Sequence, residues 1–249
     1  MTSIKPFLNK VLQGDCIEVM KELPDNSIDM ILCDLPYGTT QCKWDTIIPF
    51  ESLWKEYRRV AKDNAAIVLT AAQPFTSVLV SSNLKEFKYT WVWEKSKATG
   101  YLNAKKMPMR AHEDVCVFYK KPPIYNPQMW KSTPYNKGSA HRPTEVYGKQ
   151  KEVLVKNDTG LRYPRTVQYF KTAESEGKVY HPTQKPISLF EYLIKTYSAE
   201  GDVILDSCLG AGTTALAAMS CNRNFVGIEL DQEYVDISNQ RIEEFKNKT

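Results

Sequence analysis

Apolar residues in the first half of the chain fall in short runs separated by amphipathic segments. The runs predict strands at residues 10–13, 28–33, 65–70, 89–93 and 114–119. The segments between them predict helices at 16–23 and 52–62, and the uncharged stretch 64–84 is interpreted as a strand followed by a helix. Asp15 with Glu18 resembles a capping box at the first helix. The runs at 28–33 and 65–70 are mostly apolar, which is typical of parallel strands covered on both faces.

The same alternation returns in residues 181–249. Pro186 stands at the start of a helix whose apolar residues share one face: Ile187, Phe190, Leu193, Ile194 and Tyr197. A strand at 203–205, a helix at 213–219, a strand at 225–228 and a helix at 232–246 follow. Strands alternating with helices at this spacing predict an α/β fold with a doubly wound, Rossmann-like sheet.

Between these two parts the periodicity is lost. Six prolines fall between residues 120 and 180, interleaved with lysines, arginines and tyrosines. Residues 120–185 hold 13 basic against 5 acidic residues, a formal charge of +8, whereas the rest of the chain holds 20 against 24, a formal −4. A basic, loop-rich insertion is typical of a phosphate-binding region, although a solvated lysine-rich loop has the same composition. We therefore divide the chain into residues 1–120, an insertion at 121–180, and residues 181–249.

Composition disfavours several classes of protein. The chain is 42% hydrophobic and 25% charged, as in ordinary globular domains. Its longest uncharged stretch, residues 64–84, is too polar to span a membrane. None of the six cysteines forms a Cys-x-x-Cys pair, and the three histidines do not stand at ligand spacing to them. We therefore expect a reduced, cytoplasmic protein without a metal site.

Residues 202–217 combine a buried strand, a glycine turn and a helix. The strand delivers Asp206 to the carboxyl edge of the sheet, and Gly210 and Gly212 let the backbone approach a ligand at the start of the helix. Glu229 lies 19 residues beyond Gly210 at the end of the next strand, where its carboxylate can accept hydrogen bonds from ribose hydroxyls. The pattern predicts an adenosine-containing cofactor, and by spacing alone a dinucleotide fits as well.

A second polar segment, Asp34-Leu35-Pro36-Tyr37-Gly38, follows the buried strand 28–33. Its residue types suit methylation of an exocyclic amino group, whose nitrogen lone pair is delocalised into the base. Asp34 and the Leu35 carbonyl can each accept one N–H, so that the lone pair turns toward a methyl donor. Tyr37 can stack on a base that has left the duplex, and Pro36 shapes the turn. A strand-end turn with no catalytic role would need only capping by Asp34 and packing by Tyr37.

These segments resemble the motifs of one enzyme family. Asp34-Leu35-Pro36-Tyr37 resembles the Asp-Pro-Pro-Tyr motif of amino-methyltransferases. His-Pro-Thr-Gln-Lys-Pro at 181–186 and Asp-Ser-Cys-Leu-Gly-Ala-Gly-Thr-Thr at 206–214 are similar to segments of the beta class of amino-methylating DNA methyltransferases. The motifs also follow one another in the order of that class, and the resemblance covers the chain outside about residues 121–178.

The resemblance implies S-adenosylmethionine as the cofactor. It places Asp15 near the cofactor adenine, Glu229 at the ribose and Asp206 on the methionine side. The full set of implied contacts is Asp15, Cys16, Thr183, Lys185, Asp206, Cys208, Gly210, Gly212, Thr213, Thr214 and Glu229. Leu35 replaces a proline of the catalytic motif, and Ser207-Cys208 replaces Pro-Phe, which removes an aromatic contact to the cofactor.

The resemblance also bears on the base. Asp34 stands where the cytosine-N4 enzymes of the family more often have serine, which favours adenine N6 over cytosine N4. Methylation at cytosine C5 is disfavoured because no proline precedes a cysteine, and deamination because the zinc motif is missing. Two other classes remain open. A nucleotide-dependent oxidoreductase leaves the Asp34 segment unexplained, and an inactive DNA-binding module is opposed by the intact Asp34 and Tyr37.

Candidate DNA contacts lie in the insertion. Lysines suit phosphates and arginines suit guanine edges, which gives Lys131, Lys137, Arg142, Lys149, Lys151, Arg162 and Arg165. The aromatic residues that can stack or pack there are Trp130, Tyr135, Tyr147 and Tyr163, and Trp44 with the loop 39–45 can close over a base. The family implies double-stranded DNA as the partner and a nucleoid-associated enzyme of bacterial, archaeal or phage origin. It leaves open a homodimer and a companion restriction endonuclease.

Overall fold

In a computed structural model, residues 3–39, 45–140, 148 and 153–248 are described. The helices in these ranges are α1 (Cys16–Glu22), α2 (Phe50–Val60), α3 (Phe75–Ser82), α4 (Ile187–Tyr197), α5 (Thr213–Ser220) and α6 (Gln232–Lys246). The strands are β1 (Lys10–Gln13), β2 (Ile28–Asp34), β3 (Ala61–Ala71), β4 (Phe87–Thr99), β5 (Arg110–Phe118), β6 (Trp130–Lys131), β7 (Tyr135–Ala140), β8 (Val153–Asn157), β9 (Leu161–Arg162), β10 (Val167–Phe170), β11 (Val203–Asp206) and β12 (Asn224–Glu229).

Eight of these strands form one sheet in the order β1-β12-β11-β2-β3-β5-β4-β10. Neighbouring strands are parallel except at β5, which runs antiparallel to both β3 and β4. From β2 the chain proceeds through α2 to β3 on one side, and from β11 it proceeds through α5 to β12 on the other. The adjacent strands β2 and β11 therefore flank a topological switch point, where open α/β sheets bind their ligands.

Helices cover the sheet on both faces. Successive side chains of a strand point to opposite faces, so Ile31 and Cys33 of β2 pack with α1, α2 and α3. Met30 and Leu32 of the same strand pack on the other face with α4, α5 and α6. All four side chains are fully buried. This confirms the predicted doubly wound, Rossmann-like fold and explains why β2 is almost continuously apolar.

Several segments differ from the pattern read in the sequence. The helix predicted at 52–62 spans Phe50–Val60, and the strand predicted at 114–119 spans Arg110–Phe118. Strands β3 and β4 are longer than the apolar runs at 65–70 and 89–93, and the polar end of β4 continues to pair with β5 as far as Thr99 and Arg110. Residues 167–170, inside the predicted insertion, form β10 and pair with β4 from Val92 to Lys95. A four-residue strand has no periodicity long enough to be recognised, and its pairing depends on the exposed edge of β4.

Residues Pro127–Arg165 form a separate compact unit, and residues Met1–Asn126 with Thr166–Thr249 form the larger one. In the described part of the smaller unit, β6 pairs with β9 and β7 pairs with β8, both antiparallel. This unit is narrower than the predicted insertion at 121–180. Across the described residues of the whole chain, every helix is too short or too polar to cross a membrane.

Candidate active site

A cavity of about 1050 Å³ opens at the carboxyl edge of the large sheet, within the larger unit. Its wall includes the ends of β2 and β11, which places Asp34 and Asp206 on the same cavity at the switch point. The turns after β1 and β12 contribute Asp15 and Glu229. The volume reaches the upper end of the range of about 300–1,000 Å³ that is typical of small-molecule sites.

Asp34 is held by donors from three parts of the chain. Its Oδ1 accepts hydrogen bonds from the Tyr37 hydroxyl at 2.8 Å and from the Thr70 hydroxyl. Thr70 reaches it because β2 and β3 are parallel neighbours in which Asp34 and Thr70 are paired. Its Oδ2 accepts a hydrogen bond from Lys185 Nζ at 2.6 Å. A carboxylate oxygen has two lone-pair sites, so Oδ1 is filled and Oδ2 can accept one further N–H.

Lys185 belongs to a buried network of alternating charges. Its side chain is 6% exposed and lies 2.6 Å from Asp34 and 3.5 Å from Glu113. Glu113 in turn pairs at 3.1 Å with Lys95, which is also buried. Burial acts to lower the pKa of Lys185, but Asp34 and Glu113 outweigh it and raise that pKa, so the ammonium is charged. Two carboxylates and two ammonium groups thus balance beside the cavity.

The turn after Asp34 is shaped by its own backbone contacts. Leu35 is buried, Gly38 adopts a positive φ of 66°, and the Asp45 carboxylate accepts the backbone N–H groups of Gly38 and Thr39 at 2.8 Å each. The Tyr37 ring stacks on Phe75 with centroids 4.9 Å apart. Burial raises the pKa of Tyr37 well above its usual value, so its hydroxyl remains a donor to Asp34.

Asp206 anchors the glycine turn between β11 and α5. Its Oδ1 accepts the Cys208 backbone N–H at 3.0 Å, and its Oδ2 accepts the Thr214 hydroxyl. The carboxylate is almost completely buried, and burial raises its pKa to about 6 despite these two hydrogen bonds. Gly210 follows with a positive φ of 53°. Asp206 therefore fixes the turn and also lines the cavity with a carboxylate whose pKa is raised.

Glu229 and Asp15 form the opposite polar wall. Glu229 accepts the Gly210 backbone N–H at 2.7 Å through Oε2 and the Asp231 N–H at 2.9 Å through Oε1. Each oxygen keeps one lone-pair site for a ligand hydroxyl. Asp15 caps α1, as predicted, through two bonds that both fall on Oδ1, whereas the predicted capping-box partner Glu18 pairs with Lys21 at 2.6 Å.

Comparison with known proteins identifies the family. The model of the N6/N4 DNA methylase family matches residues 28–240, which is most of the chain. The chain belongs to this family. It is 28% identical over 274 aligned residues to the Type II methyltransferase M.HinfI of Haemophilus influenzae, covering 98% of this chain and 71% of that protein. The predicted amino-methylating DNA methyltransferase family is confirmed, and the oxidoreductase alternative is excluded.

Solved structures of the methylase family share the fold. The complex of M1.HpyAVI with SAM superposes with a TM-score of 0.65 at 22% identity, covering 94% of this chain and 98% of that one. The cytosine-N4-specific PvuII DNA methyltransferase gives 0.66 at 16% identity, covering 96% and 91%. A cytosine-N4-specific enzyme thus shares this architecture.

The methylase uses S-adenosylmethionine, and the cavity is suited to it. The cofactor offers hydrogen-bond donors at its adenine amino group, its ribose hydroxyls and its methionine ammonium. Asp15, Glu229 and Asp206 line the same cavity and supply carboxylate acceptors for such donors. The glycine turn at the start of α5 supplies the close backbone approach.

Most of the predicted cofactor contacts line this cavity. They are Asp15, Cys16, Thr183, Lys185, Asp206, Cys208, Gly210, Thr213, Thr214 and Glu229. Gly212 takes another place: it caps α5 at a positive φ of 84°, and a Cβ there would lie 3.2 Å from Ser238 Oγ, so its role is close packing on α6. The ammonium group of Lys185 donates to Asp34, so this predicted cofactor contact pairs with the predicted catalytic carboxylate.

The sequence pattern does not indicate a role in the site for three residues, Thr70, Lys95 and Glu113. It predicts Thr70 only as the end of a strand, and Lys95 and Glu113 belong to no motif. The strand register pairs Asp34 with Thr70, a signal available once β2 and β3 are taken as parallel neighbours. No local pattern connects Glu113 with Lys185, because they lie 72 positions apart in the chain.

In the smaller unit, two of the predicted DNA contacts surround one aromatic ring. The Arg162 guanidinium lies 4.5 Å and Lys137 Nζ 5.4 Å from the centroid of the Tyr135 ring. Trp130 donates a hydrogen bond to the Tyr163 carbonyl at 3.3 Å, and the Tyr163 ring is largely exposed. Lys131 is also exposed, on β6. The predicted residues Arg142, Lys149, Lys151, Tyr147 and Trp44 lie outside the described residues.

Proposed function

We propose that this DNA methyltransferase methylates N6 of an adenine flipped out of double-stranded DNA, at a specific sequence. The main support for this proposal is the set of hydrogen bonds to Asp34. Tyr37, Thr70 and Lys185 fix its carboxylate at the switch point and leave one acceptor site on Oδ2. In this family an aspartate at the position favours adenine over cytosine.

In the proposed reaction, Asp34 and the Leu35 carbonyl each accept one N–H of the amino group. This arrangement draws the nitrogen lone pair out of conjugation with the ring and fixes its direction. Bound S-adenosylmethionine supplies an electrophilic methyl group. An amino nitrogen that has gained this methyl group would carry a positive charge, and the adjacent Asp34 carboxylate, already accepting one of its N–H bonds, would take up the proton that it loses.

Tyr37 and Lys185 define the space for the base. Phe75 supports the Tyr37 ring, and the Lys185 ammonium lies 5.5 Å from the centroid of that ring. A base stacked on the Tyr37 ring would therefore contact a ring that already has Phe75 and Lys185 as neighbours. Stacking of the base on Tyr37 thus remains a prediction, and it requires the base to fit beside a cation that is already paired with Asp34.

Residues Pro127–Arg165 are proposed as the core of the target-recognition region, inside the wider predicted range of 121–180. Lys131 and Lys137 would contact phosphates there, and Arg162 and Arg165 would read bases or position the duplex. We propose that Arg142 likewise reads bases or positions the duplex and that Lys149 contacts a phosphate. A companion restriction endonuclease and a homodimer remain proposals drawn from the family.

The test is the identity of the methylated nucleoside. Unmethylated duplex DNA is incubated with the purified protein and S-adenosylmethionine, digested to nucleosides and analysed by mass spectrometry. We expect N6-methyladenine, and none with the Asp34→Ala variant. N4-methylcytosine would establish the alternative, for which the fold shared with the cytosine-N4-specific PvuII enzyme is the supporting observation. Absence of any methylated nucleoside would favour an inactive DNA-binding module.

A further inference from the structure

The connection between β4 and β5 projects apolar side chains into solvent. It consists of residues 100–109, here called the β4–β5 arm. Leu102 is 97% exposed, Tyr101 78% and Met107 58%. Single exposed apolar residues are common, but three large ones within seven positions form a patch of the kind that marks an interaction site.

The arm is an ordered structure. Gly100 adopts a positive φ of 92°, and residues 101–103 form a 3-10 turn. The backbone N–H groups of Asn103 and Ala104 bond to the carbonyls of Gly100 and Tyr101 at 3.0 Å each, and Met107 N–H bonds to Asn103 at 3.0 Å. The backbone therefore holds Leu102 at the outer side of a defined turn.

The charge of the arm and of the strand ends on either side of it suits a polyanion. Residues 95–112 contain no aspartate or glutamate, and their basic residues include Lys97, Lys105, Lys106 and Arg110. A nucleic acid duplex carries one negative charge per about 1.7 Å of helix axis, so basic residues on either side of an apolar tip match its backbone. A second copy of this chain or a hydrocarbon surface would explain the exposed apolar side chains of the arm. Neither would explain why all the charged residues at 95–112 are basic.

The arm also rises from the wall of the active-site cavity. Thr99 at the end of β4 and Arg110 at the start of β5 both line that cavity, as does His112. Both ends of the arm thus lie on the cavity that contains Asp34. This location distinguishes the arm from other exposed apolar residues, such as Leu84 before the opposite end of β4.

We propose that the β4–β5 arm is a DNA wedge: Leu102, flanked by Tyr101, enters the base stack at the position that the flipped base leaves, while Lys105 and Lys106 bind the adjacent phosphates. Removing a base from the stack costs unstacking and unpairing energy and leaves a gap. An apolar side chain can fill that gap, as apolar side chains enter between base steps in DNA-bending proteins. The inference rests on the proposed function, transfer to a base in duplex DNA.

The test compares two duplex oligonucleotides that carry the site methylated by the wild-type protein. One is fully paired, and the other has an abasic site opposite the target, which makes flipping easier. We expect Leu102→Ser to lower kcat/KM on the paired duplex about tenfold and to recover to within about twofold on the abasic one. The matched control, Leu84→Ser, also replaces an exposed leucine and should stay within about twofold of the wild type on both.

The basic residues are tested separately by salt. Lys105→Ala/Lys106→Ala should reduce the slope of log binding constant against log salt by about 2, since each phosphate contact contributes about 0.9, and Leu102→Ser should leave the slope unchanged. Equal rates for Leu102→Ser and wild type, or equal losses on both duplexes, would overturn the wedge. A change of oligomeric state in Leu102→Ser without DNA would assign the patch to self-association instead. Absence of transfer by the wild-type protein would remove the proposed function together with this inference.

Discussion

Asp34 depends on residues that the chain brings from distant positions. Thr70 arrives through the pairing of β2 with β3, and Lys185 arrives from the segment before α4. Lys185, Glu113 and Lys95 are buried together. Removing one of these charges leaves its partner uncompensated in a medium of low dielectric. The free energy of unfolding should therefore fall by more than the ion pair itself contributes.

The first prediction concerns Lys185. Lys185→Met should lower the free energy of unfolding by about 3 kcal/mol, because Asp34 and Glu113 then lack their shared cation. The double variant Lys185→Met/Glu113→Gln should recover little of this stability or of the methyl-transfer rate, since Asp34 is still unpaired and the buried Lys95 has also lost its partner. Urea unfolding and labelled-methyl transfer measure the two quantities. A single variant that keeps full stability and full rate would contradict the role given to this network.

Asp206 gives a second prediction, on pH. Its pKa in the folded protein is raised from 3.8 to about 6, so the folded state binds the proton more tightly than the unfolded state does. The stability contributed by this group is present below about pH 4 and is lost as pH rises through 6, amounting to about 3 kcal/mol. Asp206→Asn should therefore be more stable than the wild type at pH 8, with an advantage that vanishes near pH 4.

Urea unfolding between pH 4 and 8, without cofactor, follows this difference. Asp236→Asn, at an exposed position on α6, controls for the change of net charge. A constant difference between Asp206→Asn and wild type across this range would show that burial does not raise the Asp206 pKa.

At the scale of elements, we expect Asp15 to affect both the stability of α1 and the binding of the cofactor. Asp15 caps the helix and lines the cavity at the same time. Asp15→Asn keeps a capping oxygen but removes the charge, whereas Asp15→Ala removes both. We expect stability to fall by about 1 kcal/mol in Asp15→Ala only, and affinity for S-adenosylmethionine to fall in both variants. Thermal unfolding and calorimetric titration separate the two effects; unchanged affinity in Asp15→Asn would remove the carboxylate from the cofactor site.

The elements that the sequence predicts well are those with a local signal. Strand β1 and helix α6 have the predicted bounds, and α1, α4 and α5 begin where predicted, because capping residues, Pro186 and the glycine turn mark their starts. β10 has no such signal, since the edge of β4 determines its pairing. The composition of β5 likewise gives no sign of its antiparallel direction, which is set by its pairing with β3 and β4.

The site divides in the same way. Asp34, Asp206 and Glu229 each follow a buried strand, so strand order alone brings them to one edge. The partners of these carboxylates come from the tertiary structure: Glu113 is the residue before the predicted strand 114–119, and its contacts with Lys95 and Lys185 exist only once β4, β5 and the segment before α4 are assembled.

At the scale of the whole molecule, the cavity and the lysines that we propose as DNA contacts in the insertion lie in different units of the chain. The cavity belongs entirely to the larger unit, whereas Lys131 and Lys137 belong to the smaller one. Lys131→Ala/Lys137→Ala should weaken DNA binding and reduce its salt slope by about 2 while cofactor affinity is unchanged. Fluorescence anisotropy at several salt concentrations measures this. Lys55→Ala/Lys85→Ala, with the same charge change in the larger unit, is the control, and an equal loss there would contradict the assignment.

We propose that Asp34 directs methyl transfer to adenine N6 at a defined sequence in duplex DNA. Long-read methylation sequencing of DNA from cells that express the chain, compared with cells that express Asp34→Ala, tests it most directly. We predict N6-methyladenine at one recurrent sequence with the wild-type chain and none with Asp34→Ala. N4-methylcytosine in place of N6-methyladenine, or equal methylation with both chains, would contradict the account.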